Sequence, residues 1–348
     1  MFGKGAINQL ESILKNEPTN NGYRVYFVDA YFKSHPTLNA LPLREEDELF
    51  FVQTKDEPKT TVIDAFRDVL VERGKNRPDA IIAMGGGATL DTGKAVANLL
   101  TNPGNAEDYQ GWDLVKNAGI YKIGIPTISG TGAEASRTCV MTNTKSGLKL
   151  GMNSDFTLYD QLILDPNLTK TVPREQYFFT GMDTYIHCIE SLSGSHRNAI
   201  ADAFSRQAIN LCREIFMSDD MMSDENREKL MVASYLGGSA IANSYVGIIH
   251  PFSAGLSVVL ETHHCIGNCI TMNAMEEFYP KAYQEFMQMA EKQKIALPTG
   301  ICNDLDEATF LKLYQATVIH EKPLINELGE NFKEILTPEK VTEIFKKM

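Results

Sequence analysis

Apolar residues in the first half of the chain fall in short runs that end on polar residues or glycine. Tyr23 to Val28 (YRVYFV) reads as a strand ending at Asp29, and Glu48 to Gln53 (ELFFVQ) as a second. Ala80 to Met84 (AIIAM) is a third, running directly into Gly85-Gly86-Gly87, and Tyr121 to Pro126 (YKIGIP) is a fourth. Between them, Thr61 to Glu72 has the spacing of an amphipathic helix and Ala95 to Leu100 that of a buried one. Strands alternating with helices imply a parallel sheet with helices on its faces. From Asp165-Pro166 onward the strand runs stop and helical periodicity takes over. It covers Ala199 to Phe216, Glu225 to Leu236, Cys265 to Tyr279, Tyr283 to Lys292, Glu307 to Thr317 and Pro338 to Met348. The pattern predicts an α/β domain over residues 1–165 and an all-helical domain over residues 166–348, with ligands in the crevice between them.

One stretch complicates this picture. Met231 to Leu260 contains no Asp, Glu, Lys or Arg and is long enough to span a bilayer. It also holds Gly237, Gly238, Asn243, Gly247, His250, Pro251 and Gly255, a composition that reads as closely packed buried helices around something polar. A chain of 348 residues, 43% apolar, is long enough for a sizeable core. Its net charge of -12 argues against nucleic acid or an anionic membrane as the main partner, because both need a basic footprint. The six cysteines lack the spacing of a disulfide framework, and the N-terminal MFGKGAINQLE lacks the apolar centre of an export signal. Both lead us to expect a cytoplasmic protein.

Candidate chemistry begins at the glycines. Strand, GGGATLDTGK (Gly85 to Lys94) and helix in succession form the layout of a phosphate-binding turn, in which glycines admit a pyrophosphate and helix N-terminal amides face it. The motif is neither GxGxxG nor a P-loop. A second loop after a strand, PTISGTGAEAS (Pro126 to Ser136), sets Thr131 between Gly130 and Gly132, placing a hydroxyl and free amides where open α/β sheets bind ligands. Two such loops point to a dinucleotide. Asp29, at the end of the first strand, is placed to accept from a ribose 2′-hydroxyl and to repel a 2′-phosphate, favouring NAD over NADP; a turn or helix-capping Asp is the alternative.

In GMDTYIHCIE (Gly181 to Glu190), Asp183 and His187 lie four apart and so share one face of a helix. Their apolar neighbours make them a buried pair, which is either half of a divalent-metal site or a hydrogen-bonded core pair. His250 and His264 add two imidazoles fourteen residues apart, giving a carboxylate and three nitrogens suited to Fe²⁺ or Zn²⁺. Spacing does not decide between His264 and its neighbour His263. His35, His196 and His320 sit in polar contexts typical of surface residues, and Cys265 and Cys269 read as small buried hydrophobes.

Taken together, GGGATLDTGK, PTISGTGAEAS, the LDP of Leu164 to Pro166, GMDTYIHCIE and the spaced His250 and His264 resemble the iron-containing (group III) alcohol dehydrogenases over essentially the whole chain. The resemblance implies a dinucleotide-binding α/β domain followed by a helical metal-binding domain, assembled as a dimer or larger homo-oligomer. It implies metal ligation, and hence catalysis, by Asp183, His187, His250 and His264. Cofactor contacts would come from Asp29, Gly86, Gly87, Thr127, Thr131 and Lys149. Three positions depart from the family pattern: Ala254 replaces the second histidine of an HxxxH, His263 replaces a proline, and Glu57, in the DEP of Asp56 to Pro58, replaces an Asn. The first leaves no imidazole for a proton relay at residue 254.

A narrower similarity, carried by DYQGWDLVKN, SGTGAEASRT, KLGMNSDFT, HCIESLSG and LPTGIC, is to the bacterial 3-deoxy-D-manno-octulosonate (Kdo) 8-oxidase group. That group oxidises the terminal alcohol of this sugar acid so that an aminotransferase can make an 8-amino sugar for lipopolysaccharide. Arg137 and Lys149 would then be available to meet an anionic substrate. The resulting expectation is metal-assisted hydride transfer from a primary alcohol to NAD. The alternatives are a lactaldehyde or diol reductase, a dehydroquinate-synthase-like lyase without net NADH formation, and a silent NAD-binding protein.

Overall fold

The apolar run at residues 25–29 is fully buried up to Asp29 and forms β1 (Val25–Asp29), the strand on which the first sheet is built. β2 (Glu48–Val52), β3 (Ile81–Gly85), β5 (Lys122–Pro126) and the two-residue β8 (Gln161–Leu162) join it in the order β2-β1-β3-β5-β8. All four pairings are parallel, with Val25 opposite both Glu48 and Ile81, and Ile81 opposite Lys122. From β1 the chain moves to one side for β2 and to the other for β3, which creates a switch point at the carboxyl ends of β1 and β3. Helices α1 (Leu10–Asn16), α2 (Thr60–Glu72) and α3 (Gly87–Leu99) accompany this sheet. Gly93 lets α3 lie directly on β3, since a Cβ there would meet the Ala83 Cβ at 2.7 Å.

A second, three-stranded sheet has the order β4-β7-β6, from β4 (Gly111–Trp112), β6 (Thr138–Thr142) and β7 (Lys149–Asn153). Sequence reading missed it because its strands are short and only alternately buried, as in TCVMT. The buried pair Lys94 and Asp91 anchors it to α3. Lys94 Nζ donates to the Ser136 and Thr138 carbonyls (3.1 and 2.8 Å), and Asp91 Oδ2 accepts from Val140 N at 2.9 Å.

The computed structural model describes residues 1–16, 22–54 and 57–348; Asp56 lies outside the described residues. Two compact units emerge, residues 1–129 with 133–171, and residues 130–132 with 172–348. The second is helical: α4 (Arg174–Ser193), α5 (Ala199–Phe216), α6 (Asp224–Asn243), α7 (Ile249–Leu260), α8 (His264–Asn273), α9 (Pro280–Lys292), α10 (Glu307–Val318), α11 (Glu321–Leu328), α12 (Phe332–Ile335) and α13 (Pro338–Phe345). A parallel-sheet α/β unit followed by a helical one is the predicted fold class.

Several boundaries differ from the sequence reading. The predicted helix over residues 265–279 stops at Asn273, and a new one starts with Pro280 at its first position, where a missing N–H costs nothing. The helix predicted over residues 95–100 begins eight residues earlier, at Gly87. Among the described residues no helix is long and apolar enough to cross a membrane. The charge-free segment is divided between α6 and α7, packed inside the helical unit.

Candidate metal centre

α4 is buried without interruption from Tyr177 to Ser191, so any polar group on its inner turns must find its partners inside the protein. Asp183 is 0% exposed and His187 4% exposed, and the i, i+4 spacing brings His187 Nε2 to 3.6 Å from Asp183 Oδ1. From the first turn of α7, His250 places Nε2 3.4 Å from the same oxygen. From the first residue of α8, His264 places Nε2 3.8 Å from Asp183 Oδ2. The His187 and His250 rings stack at 4.6 Å, 12° from parallel. Four predicted ligands from three helices, spread over 82 residues of sequence, thus converge on one carboxylate. His263 is exposed as the N-cap of α8, and Ala254 is buried on α7, one turn beyond His250.

The donor set fits a divalent ion. Nitrogen and oxygen donors about 2.1 Å from a tetrahedral ion are separated from one another by about 3.4 Å, the range of separations found here. Donor atoms of Asp183, His187 and His250 all lie within 4.8 Å of one another. Burial alone would raise the Asp183 pKa, but His187, His264 and His250 outweigh it and hold the carboxyl well below its ordinary range. Burial pushes His187 down to about 4, against the pull of Asp183, so its ring is neutral. An ionised carboxylate and imidazole nitrogens aimed at one point suit a divalent cation, which displaces any proton a ring nitrogen carries.

Sequence reasoning passed over three further members of this cluster. Glu190, 0% exposed and seven residues beyond Asp183, hydrogen-bonds His250 Nδ1 through Oε2, while its Oε1 accepts from Ile249 N at 2.6 Å. Burial tends to lower His250, but Glu190 and Asp183 more than compensate and lift it to about 9. A carboxylate on Nδ1–H fixes the ring with Nε2 facing the cluster, the arrangement that orients metal-binding histidines, and the proton that the raised pKa keeps on Nε2 leaves when an ion binds. The signal was available, because Glu190 closes the GMDTYIHCIE motif. Asn268, 0% exposed and one turn beyond His264, donates from Nδ2 to Asp183 Oδ1 at 2.6 Å. Cys265 is the small buried core residue that the sequence suggested, and it also directs its thiol at Asp183 Oδ2 (3.7 Å).

The predicted cofactor residues divide between the two units. Asp29 ends β1 beside Gly85, where a Cβ would meet the Asp29 Cβ at 3.0 Å, so both sit at the switch point. Asp29 is also a capping residue: Oδ1 accepts from Tyr31 N at 3.0 Å, and Thr54 Oγ1 donates to both of its oxygens at 3.3 Å. Gly86 is the N-cap of α3 and Gly87 its first residue, and first-turn amides have no acceptor within the helix. Thr127 is buried just past β5, its N–H donating to Gly85 O at 3.0 Å.

Thr131 belongs to the helical unit, and here one expectation is corrected. The amides of Gly130 and Gly132 are not free, because both donate to Ser234 Oγ (2.8 and 3.3 Å). The expected anion contacts are also committed elsewhere. Lys149, 5% exposed on β7, pairs with Glu57 at 2.9 Å, and Arg137 pairs with Asp155 at 2.8 Å and with Asp113.

Comparison with known proteins bears on the family and the fold. A family model described as iron-containing alcohol dehydrogenase matches residues 1–166, and one described as the C-terminal part of the Fe-containing alcohol dehydrogenase family matches residues 178–314. The chain is 37% identical over 190 residues to a sulfoacetaldehyde reductase of Bilophila wadsworthia, a match spanning 53% of this chain and about half (49%) of that relative. It is 28% identical over 279 residues to an NAD-dependent methanol dehydrogenase of Bacillus methanolicus, spanning 78% of this chain and 72% of the relative. In fold it is similar to a 1,3-propanediol oxidoreductase crystal structure, with a TM-score of 0.85, 22% identity, and coverage of 99% of this chain and 96% of the other.

Proposed function

The chain belongs to the iron-containing alcohol dehydrogenase family, whose members act on CH–OH groups with NAD and a divalent metal, and on that premise we propose that it interconverts a primary alcohol and its aldehyde. The observation that carries this reading is the convergence of Asp183, His187, His250 and His264 on one buried point. These four residues would hold a divalent ion, and the chemistry such an ion would supply is polarisation of the alcohol oxygen, lowering its pKa. The remaining work belongs to the chain. Glu190 holds His250 with its Nε2 inward, and Asp183 supplies the buried negative charge. Asp29, Gly86 and Gly87 at the switch point, with Thr127, Thr131 and Lys149, are the proposed NAD contacts. With NAD bound, the alcohol carbon would give a hydride to the nicotinamide and the hydroxyl proton would pass to solvent.

For the substrate we propose an anionic alcohol, Kdo oxidised at C8, supported by the segments from Asp108 to Asn117 and from Lys149 to Thr157 that resemble the Kdo 8-oxidase group. Its product would be consumed by an aminotransferase, and the active form would be a homo-oligomer. The similarity to a sulfoacetaldehyde reductase favours a second reading, reduction of a short anionic aldehyde. The test is NADH absorbance with protein loaded with Fe²⁺ or Zn²⁺, offered Kdo, 1,2-propanediol or ethanol with NAD, and sulfoacetaldehyde with NADH. NADH formation from Kdo at the highest kcat/KM is the expected result. NADH formed from propanediol but not Kdo, or consumed by sulfoacetaldehyde alone, would discard the sugar acid and keep the dehydrogenase.

A further inference from the structure

We propose that Asn268 is a fifth ligand group of the metal centre, presenting its side-chain oxygen Oδ1 to the bound ion; the inference rests on the metal reading above. Its position is the first argument. Asn268 lies one turn beyond His264 on α8, so the two side chains share the helix face turned toward Asp183. Asn268 Nδ2 is 2.6 Å from Asp183 Oδ1, 3.3 Å from His250 Nε2 and 3.4 Å from His264 Nε2. These separations match or undercut the 3.4 to 3.8 Å that the histidine nitrogens keep from the Asp183 oxygens. The amide therefore stands among the donor atoms, not behind them as Glu190 does.

The second argument is chemical. A carboxamide has two ends of nearly equal shape and opposite polarity. Its NH₂ end suits the lone pairs of the Asp183 carboxylate, and of any unprotonated ring nitrogen, while these are not shared with a cation. Once those lone pairs hold a divalent ion, the same NH₂ faces positive charge in a low-dielectric interior, where repulsion is strong. A half-turn about the terminal side-chain torsion, which is broad and roughly two-fold, exchanges the ends. Asn268 Oδ1 is buried and has no hydrogen-bond partner among the described residues, so the turn breaks no bond of the oxygen. The bond that Nδ2 relinquishes to Asp183 Oδ1 is replaced by the ion. An amide oxygen is an ordinary ligand for hard divalent cations.

The experiment uses the whole chain, stripped with chelator and titrated with Zn²⁺ and Co²⁺ against a chromophoric competitor. Wild type, Asn268→Ala, Asn268→Asp and His264→Ala are compared, and melting of each stripped protein reports folding. We expect Asn268→Ala to bind about tenfold more weakly or worse. Its Co²⁺ visible spectrum should gain the intensity of a lower coordination number. Asn268→Asp, which keeps an oxygen and loses the NH₂, should bind at least as tightly as wild type with an unaltered spectrum. Asn268→Ala binding as tightly as wild type, or more tightly, would show that the amide only orients or blocks Asp183 and would overturn the proposal. Should Asn268→Ala fail to fold, weaker binding by folded Asn268→Asp overturns it equally. If wild type itself binds no better than His264→Ala, the metal reading fails before the role of Asn268 is reached.

Discussion

Glu190 and Asp29 each hold a charge whose partners state its task. Glu190 accepts from the first amide of α7 and from His250 Nδ1, so removing its charge leaves the ring free to change tautomer. Glu190→Gln is expected to weaken metal affinity about 10- to 100-fold while the helical unit stays folded, measured by chelator competition and circular dichroism. Asp29 both caps the turn after β1 and stands at the switch point. Asp29→Asn keeps an acceptor for Tyr31 N and loses the charge that would repel a 2′-phosphate. Its ratio of kcat/KM for NAD over NADP should fall roughly tenfold or more, about 1.4 kcal/mol. An unchanged ratio would reduce Asp29 to its capping role.

The loop 130–132 is held between α4 and α6. Gly130, at φ +140, lies so close to α4 that a Cβ would sit 1.8 Å from Thr180 O, and Thr184 Oγ1 donates to Gly130 O at 2.7 Å. On the other side Gly238 of α6 would bring a Cβ to 2.4 Å from Gly132 O. Backbone cannot yield as a side chain can, so Gly238→Ala is expected to destabilise by about 1–3 kcal/mol or more and to lower Tm in a calorimetric scan. This packing also explains why α6 runs through two glycines to Asn243, past the predicted end at Leu236. Gly238 admits the backbone of residue 132, while Gly237 lies against α4, where a Cβ would meet Thr184 Cγ2 at 3.0 Å.

At the scale of the whole molecule, the helical unit carries a half-buried acid whose titration should appear in its stability. Burial raises the Glu327 carboxyl from 4.5 to about 7; hydrogen bonds from Ser193 and Tyr279 oppose the rise and Glu190 adds to it. An acid with a raised folded pKa binds its proton more tightly when folded. Its contribution is therefore intact below pH 4.5 and is lost as pH climbs through about 7. Glu327→Gln should remove on the order of 1–3 kcal/mol of this decline, seen as a flatter unfolding free energy between pH 5 and about 8 in denaturant titrations. A decline as steep as wild type would mean that the Glu327 pKa is not shifted.

The sequence by itself determined the class of fold and the chemical types at the site. Runs such as VYFVD and AIIAM bury both faces of a parallel strand, and Asp183 with His187 shares a helix face, because both patterns are set by backbone periods of two and 3.6 residues that act within one element. Asp29 and the Gly85 turn were legible for the same reason, since each directly follows its strand. What required the tertiary structure is every relation between elements. The amide of Asn268 reaches a carboxylate 85 residues away, Glu190 reaches a histidine 60 residues away, and Ser234 takes amides that the loop seemed to offer a ligand. Lys149 and Arg137, cations available to an anion in the sequence, are held by Glu57, Asp113 and Asp155. A period along one helix or strand carries no information about which side chain of another element will stand opposite. That choice is made by packing, where a buried charge or amide must be paired whatever the sequence distance.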